Sequence, residues 1–194
     1  MDNKQKQIKY ALKFKRGGNI LELGSGKGEF LDCCKDAGVK VTGVDHYADK
    51  SDRRIIKSDA RAFLKKAKKN SYDGIYARHF VEHFGADDLI NIFKMAENVL
   101  KKDGVFLMIF PNLRNIHVAT YEFWSDPTHA RPYTGEALAV LLDKAGFKIK
   151  EHGPDADSWD NSPFKNIIRG IRVFLSGVRT APPDYYIYAV KKKS

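Results

Sequence analysis

Long apolar runs are missing from this chain of 194 residues. No stretch approaches the ~20 consecutive apolar residues that a membrane-spanning helix requires. The first ten residues, MDNKQKQIKY, contain none of the apolar core that a secretory leader uses, so the expected location is the cytoplasm. Cysteine is scarce too. The two present, Cys33 and Cys34, are adjacent, which suits neither a disulfide framework nor a metal knuckle, and they read as reduced helix residues. Internal repeats and low-complexity linkers are absent, so a single domain over 1–194 is expected. Acidic residues are outnumbered, 24 against 34 Lys and Arg, for a formal charge of +10. Such an excess favours an anionic partner, whether nucleic acid, acidic glycan or phospholipid surface. The lysines gather at 4–16, 65–69 and 191–193. Two of these runs are chain ends, and solvated surface is the preferred reading of each.

What the chain does hold, with 43% apolar residues, is enough to bury a sizeable core. Its most informative stretch is ILELGSGKGEFL, residues 20–31. An apolar strand pattern stops at Gly24, Gly26 and Gly28, and an amphipathic helix pattern starts at once with Glu29, Phe30 and Leu31. Glycines at a strand-to-helix turn let the backbone adopt φ > 0 and approach a ligand closely, while the free N–H groups of the new helix face it. The dinucleotide fingerprint G-x-G-x-x-G is not met, because Glu29 stands where its third glycine belongs. Glu22, just before the turn, would repel a pyrophosphate and attract a positive amino group.

The remaining patterns alternate strand and helix. A helix is expected within residues 1–16, with Ile8, Ala11 and Leu12 on one side. Strand patterns follow at 39–47, 54–57, 72–77 and 105–111, with helices at 29–37, 61–69 and 86–100 and a turn at 101–104. Asp45 closes the second strand about 20 residues after the glycines, where a ribose-binding acid sits. Asp59 closes the third, as a ligand acid, as the N-cap of the next helix, or as both. A helix at 134–145 and strands at 147–151 and 185–190 complete the pattern. Alternation of this kind implies an α/β fold, a doubly wound, mostly parallel sheet with helices on both faces. Segment 112–133 is too long and too aromatic for a plain connector, and reads as a lid over the acceptor side. Insert 154–183 has Phe164, Ile167, Ile168, Ile171, Phe174 and Leu175 on one helical face and basic residues around it. Such a helix packs on its own domain, covers the crevice or lies on an anionic membrane.

The acid followed by G-x-G-x-G, the acids at 45 and 59, the H-x-x-E-H stretch at 79–83, and NVLKKDGVFLMIFPN at 98–112 resemble the class I S-adenosylmethionine-dependent methyltransferases, in the family's order. The resemblance implies a seven-stranded sheet with a reversed last strand. It also implies cofactor contacts from Glu22, Gly24, Ser25, Gly26, Gly28, Asp45, His46, Asp59, Ala60 and Arg78. The phrase DPTHARPY, 126–133, resembles methyltransferases of surface-polysaccharide and lipid-linked glycan synthesis. It makes His129 the first candidate for the base that takes an acceptor hydroxyl's proton, with His79 nearby, and Arg131 and Tyr133 candidates for binding the acceptor.

A second reading of the histidines is a metal site. A helix starting near His79 would put His79, Glu82 and His83 on one face, with His129 completing the set, as in the similar site of small-RNA 2′-O-methyltransferases. A divalent metal is less favoured than plain hydrogen bonding of Glu82 and His83 at the strand end. The expected function is methyl transfer to an oxygen of a small-molecule or glycan- or lipid-linked acceptor. RNA methylation, or nucleotide binding without turnover, are the alternatives.

Overall fold

The structure, a computed structural model, describes residues 3–49, 53–158, 167 and 181–192. Seven strands form one sheet: β1 (Asn19–Leu23), β2 (Lys40–Asp45), β3 (Ile55–Lys57), β4 (Tyr72–Arg78), β5 (Leu100–Pro111), β6 (Phe147–Pro154) and β7 (Asp184–Lys191). Their order is β3-β2-β1-β4-β5-β7-β6. The first five run parallel, and β7 is inserted antiparallel between β5 and β6. The helices are α1 (Asn3–Ala11), α2 (Glu29–Asp36), α3 (Ala60–Lys66), α4 (Ala86–Val99), the short α5 (Phe123–Ser125) and α6 (Gly135–Lys144).

Alternate strand residues point to opposite faces, and here each face meets an apolar layer. Leu21, Leu23, Ile75, Phe106 and Met108 pack with Leu64 of α3, Leu89 and Phe93 of α4 and Leu138 of α6. The intervening Ile20, Tyr76, Leu107 and Ile109 pack with Tyr10, Phe14, Phe30 and Cys34 on the side of α1 and α2. Phe30 stacks on Tyr76 with ring centroids 3.9 Å apart. Both cysteines are buried on α2, and neither is in a disulfide.

Two local expectations are corrected. Helix α1 stops at Ala11 and buries Gln7, Tyr10 and Ala11, whereas Leu12 is exposed. A polar residue can take the inner position because Tyr76 donates its hydroxyl hydrogen to Gln7 Oε1 at 3.0 Å. Residues 101–104 do not precede β5 but interrupt it, unpaired between Leu100 and Val105. The pairing shifts between Tyr72 and Gly74, and Asp103 takes φ 60°. Lys101 Nζ holds this irregular strand start to Asp73 at 2.9 Å. Most of the insert, including Phe164, Ile168, Ile171, Phe174 and Leu175, lies outside the described residues. Among the described residues no helix is long and apolar enough to cross a membrane.

Candidate functional site

The parallel strands end at one rim, so the loops that follow them are brought together there. After β1 the chain turns through Gly24, Gly26 and Gly28, with φ of 73°, 51° and 80°. The bend is tied to β2. Gly24 and Ser25 donate their amides to Val44 O, at 2.9 and 3.3 Å, and Gly26 donates to Asp45 Oδ2 at 2.8 Å. Asp45 Oδ1 accepts from the amide of Tyr47 at 2.7 Å. A Cβ on Gly26 would meet nothing within 4 Å, so the tip of the bend faces open space. A Cβ on Gly24 would stand 3.1 Å from the Phe80 ring, which brings the segment after β4 over the bend.

Glu22 lies beneath this bend, 4% exposed, and its Oε2 makes no hydrogen bond. Burial pushes its carboxyl well above the usual range, Asp45 and Glu29 add to the rise, and the Arg78 guanidinium opposes it. Ser25 Oγ is likewise buried without a partner. Unsatisfied acceptors in such a place cost free energy until a donor arrives, and a cationic amino group on a ligand satisfies a carboxylate best. His46 is exposed at the mouth, its ring edge against Tyr47. Asp59 caps α3: its Oδ1 accepts from the amides of Arg61 and Ala62 at 2.9 and 3.1 Å. Burial raises its pKa, but these bonds and the Arg61 guanidinium outweigh that and lower it. Ala60 is buried behind it.

At the end of β4, His79 takes a left-handed φ of 48°. Its Nδ1 is 3.2 Å from Glu82 Oε1 and its Nε2 is 3.4 Å from Asp184 Oδ1. Desolvation lowers the imidazole pKa and Arg78 opposes protonation too, but the hydrogen bond to Glu82 and the charges of Asp184 and Glu82 leave it raised. A ring facing carboxylates from both nitrogens keeps its protons. His79, expected beside the base His129, thus has both ring nitrogens facing carboxylates. No helix starts at His79; a 3-10 turn spans Val81–His83, so the shared face expected for His79, Glu82 and His83 does not form. Asp184, absent from the sequence expectations, is the residue that fixes the far side of the ring.

Segment 112–133 folds back over this turn. The Glu82 carbonyl accepts from the amides of Ala130 and Arg131, at 2.8 and 3.1 Å. Thr128 Oγ1 donates to Asp126 Oδ1 at 2.6 Å, and the Thr128 carbonyl and hydroxyl oxygens lie 3.2 and 3.1 Å from His83 Nδ1. The hydroxyl has spent its hydrogen and the carbonyl has none, so the proton between them is on His83 Nδ1. His129 Nδ1 in the same way donates to Phe123 O at 2.7 Å. In the neutral form of either ring the lone pair is therefore on Nε2, which in His129 lies 3.8 Å from Asp126 Oδ2. Ligand atoms of Glu82, His83 and His129 lie within 4.8 Å of one another, a group that does not include His79. Tyr133 is 4% exposed and donates its hydroxyl hydrogen to Phe84 O at 2.9 Å. This bond braces the loop at a residue expected to bind the acceptor. Arg131 is exposed, its guanidinium 5.3 Å from the Tyr133 ring centre.

Comparison with known proteins adds a family. Residues 3–152 match the model described as a methyltransferase domain. No curated protein matches the chain. Among solved structures it is similar to an S-adenosylmethionine-dependent methyltransferase from Archaeoglobus fulgidus, at 27% identity over 97% of this chain and 92% of that one, with a TM-score of 0.77. It also resembles the methyltransferase complexed with the Trm112 activator of Haloferax volcanii, at 16% identity over 96% and 89% of the two chains, with a TM-score of 0.73. A third is the 1,6-didemethyltoxoflavin-N1-methyltransferase of Burkholderia thailandensis with bound S-adenosylhomocysteine, at 15% identity, 96% and 79% coverage and a TM-score of 0.66. The last two likenesses are of fold alone.

Proposed function

From the premise that this chain belongs to the methyltransferase-domain family, we propose that it moves a methyl group to an oxygen of a small-molecule or glycan- or lipid-linked acceptor. The chain is an S-adenosylmethionine-dependent methyltransferase, with S-adenosylmethionine as its cofactor. When bound, that cofactor supplies an electrophilic methyl group on a sulfonium. The buried, unpartnered Glu22 Oε2 and the glycine bend fit its amino acid end, and Asp45 fits a ribose diol. His46, Asp59, Ala60 and Arg78 line the adenosyl side in this reading.

A hydroxyl must lose its proton as its oxygen attacks. The observation that carries the oxygen reading is the Nε2 lone pair of His129, fixed by the bond from Nδ1 to Phe123 O and set in a lid tied to the rim through Glu82. His129 Nε2 takes the hydroxyl proton, and Arg131 offers a planar fork to a carboxylate or phosphate of the acceptor.

Incubating the full chain with methyl-labelled S-adenosylmethionine and cell extract, then separating lipid, glycan, RNA and small-molecule fractions, tests this. Label is expected on oxygen in a lipid, glycan or small-molecule fraction. Label on nitrogen or carbon, or in RNA alone, would overturn it.

A further inference from the structure

The group formed by Glu82, His83 and His129 has features that a proton-transfer site does not need. Each histidine gives its Nδ1 hydrogen to a backbone carbonyl, Thr128 O for His83 and Phe123 O for His129. Glu82 is 1% exposed, with Oε1 held by His79 and Oε2 buried without any partner. His79 is itself held by Asp184. So the three residues each offer a ligand-type atom within 4.8 Å of the others, and one atom of every side chain is already held by a neighbour, while His129 Nε2 lies 3.8 Å from Asp126 Oδ2. Ligating histidines characteristically give their other N–H to a carbonyl or carboxylate, which sets the tautomer and aims the lone pair. An anionic oxygen buried with no donor is costly unless a cation meets it.

We propose that Glu82 Oε2, His83 Nε2 and His129 Nε2 bind a divalent transition-metal ion of the zinc class, with its remaining position open to the acceptor. Two imidazoles and one carboxylate are a borderline ligand set. They suit zinc, cobalt or manganese, and leave magnesium short of oxygens. The anchoring is cooperative across the rim. Glu82 and His83 come from the turn after β4, His129 comes from the lid, and the Glu82 carbonyl bonds to the lid at Ala130 and Arg131. Ion binding therefore fastens the lid. Its chemical role, which rests on the oxygen-acceptor reading above but replaces the base step given there to His129, whose Nε2 lone pair the ion takes, is to hold an acceptor hydroxyl and lower its proton affinity, so that the proton is lost to water. Binding of the ion itself does not depend on that reading.

The test uses untagged full-length protein stripped with a chelator. Zn²⁺ is titrated by calorimetry and Co²⁺ by visible absorption, and S-adenosylhomocysteine binding is the check that each variant is folded. One ion per chain is expected, with visible Co²⁺ bands. H129A and E82Q should each lose more than the about 10–100-fold in affinity typical of outer-shell changes, and H79A about that much. H129A, in the half-exposed lid, keeps the test valid if E82Q does not fold. Absence of Zn²⁺ binding by folded wild-type protein, or binding that H129A leaves unchanged, would overturn the proposal. Label on oxygen from metal-free enzyme, undiminished by chelator, would overturn the ion's role while leaving the oxygen reading intact. Tight Zn²⁺ binding that H129A weakens, with label on nitrogen, would uphold the site and reject the acceptor.

Discussion

Asp45 Oδ2 accepts the amide hydrogen of Gly26 at 2.8 Å, while its Oδ1 accepts from Tyr47. One side chain thus shapes the tip of the glycine bend and the loop after β2 together. Asp45→Ala removes both bonds and the ribose partner of the proposed cofactor site. It is expected to weaken S-adenosylhomocysteine about tenfold or more by calorimetry, since a charged hydrogen bond is worth about 1.5–3 kcal/mol. Asp45→Asn keeps only one acceptor oxygen, and should fall between wild type and Ala.

Glu22 gives a pH prediction. Its folded pKa is raised above the ordinary 4.5, so the folded state holds this proton more tightly than the unfolded chain does. Stability is then lost as pH rises above about 4.5, until the folded carboxyl itself ionises. Glu22→Gln removes this penalty. Thermal melts of the unliganded variant should show a higher Tm than wild type at neutral pH and a flatter dependence on pH. The same change is expected to weaken S-adenosylhomocysteine about tenfold, because the amino group loses its carboxylate. His79 adds a slope of the same sign: its raised pKa contributes stability that is full below about pH 6.5 and is lost as pH rises through the folded value.

Tyr133→Phe separates bracing from acceptor binding. Loss of the bond to Phe84 O should cost about 1 kcal/mol, or about 2–4 °C in Tm, with KM for the acceptor unchanged. A rise in KM without a change in Tm would return Tyr133 to the acceptor site.

Gly74→Ala tests how α1 is seated on the sheet. A Cβ there would stand 2.6 Å from the Phe14 ring, so that ring and the segment after α1 must shift. A loss of about 1–3 kcal/mol in chemical denaturation is expected, typical of an overpacked core.

The order of strands and helices was legible in the sequence because both faces of the sheet are covered. Each buried strand reads as an apolar run, and the amphipathic stripe of α4 (Leu89, Ile92, Phe93, Ala96, Val99) is buried as its spacing implies. Gln7 was not legible as a buried residue, because its partner Tyr76 lies across the α1-sheet contact. The turn composition of Lys-Lys-Asp-Gly was legible, but its place was not: 101–104 interrupt β5, with Leu100 before them and Val105 after them both paired to β4. At the site, the glycine bend and Asp45 could be read locally. The relations that set proton positions could not. His79 is fixed by Asp184, over a hundred residues away, and the tautomers of His83 and His129 are set by the carbonyls of Thr128 and Phe123, which no composition encodes.

The central claim is that Glu22 and the bend at Gly24, Gly26 and Gly28 hold the cofactor. A crystal structure of the chain with S-adenosylhomocysteine tests it most directly. The ligand's amino group is expected to satisfy the open demand of Glu22 Oε2, with its ribose on Asp45 and its tail along the bend. Ligand bound elsewhere, with Glu22 Oε2 still unpartnered, would contradict the account.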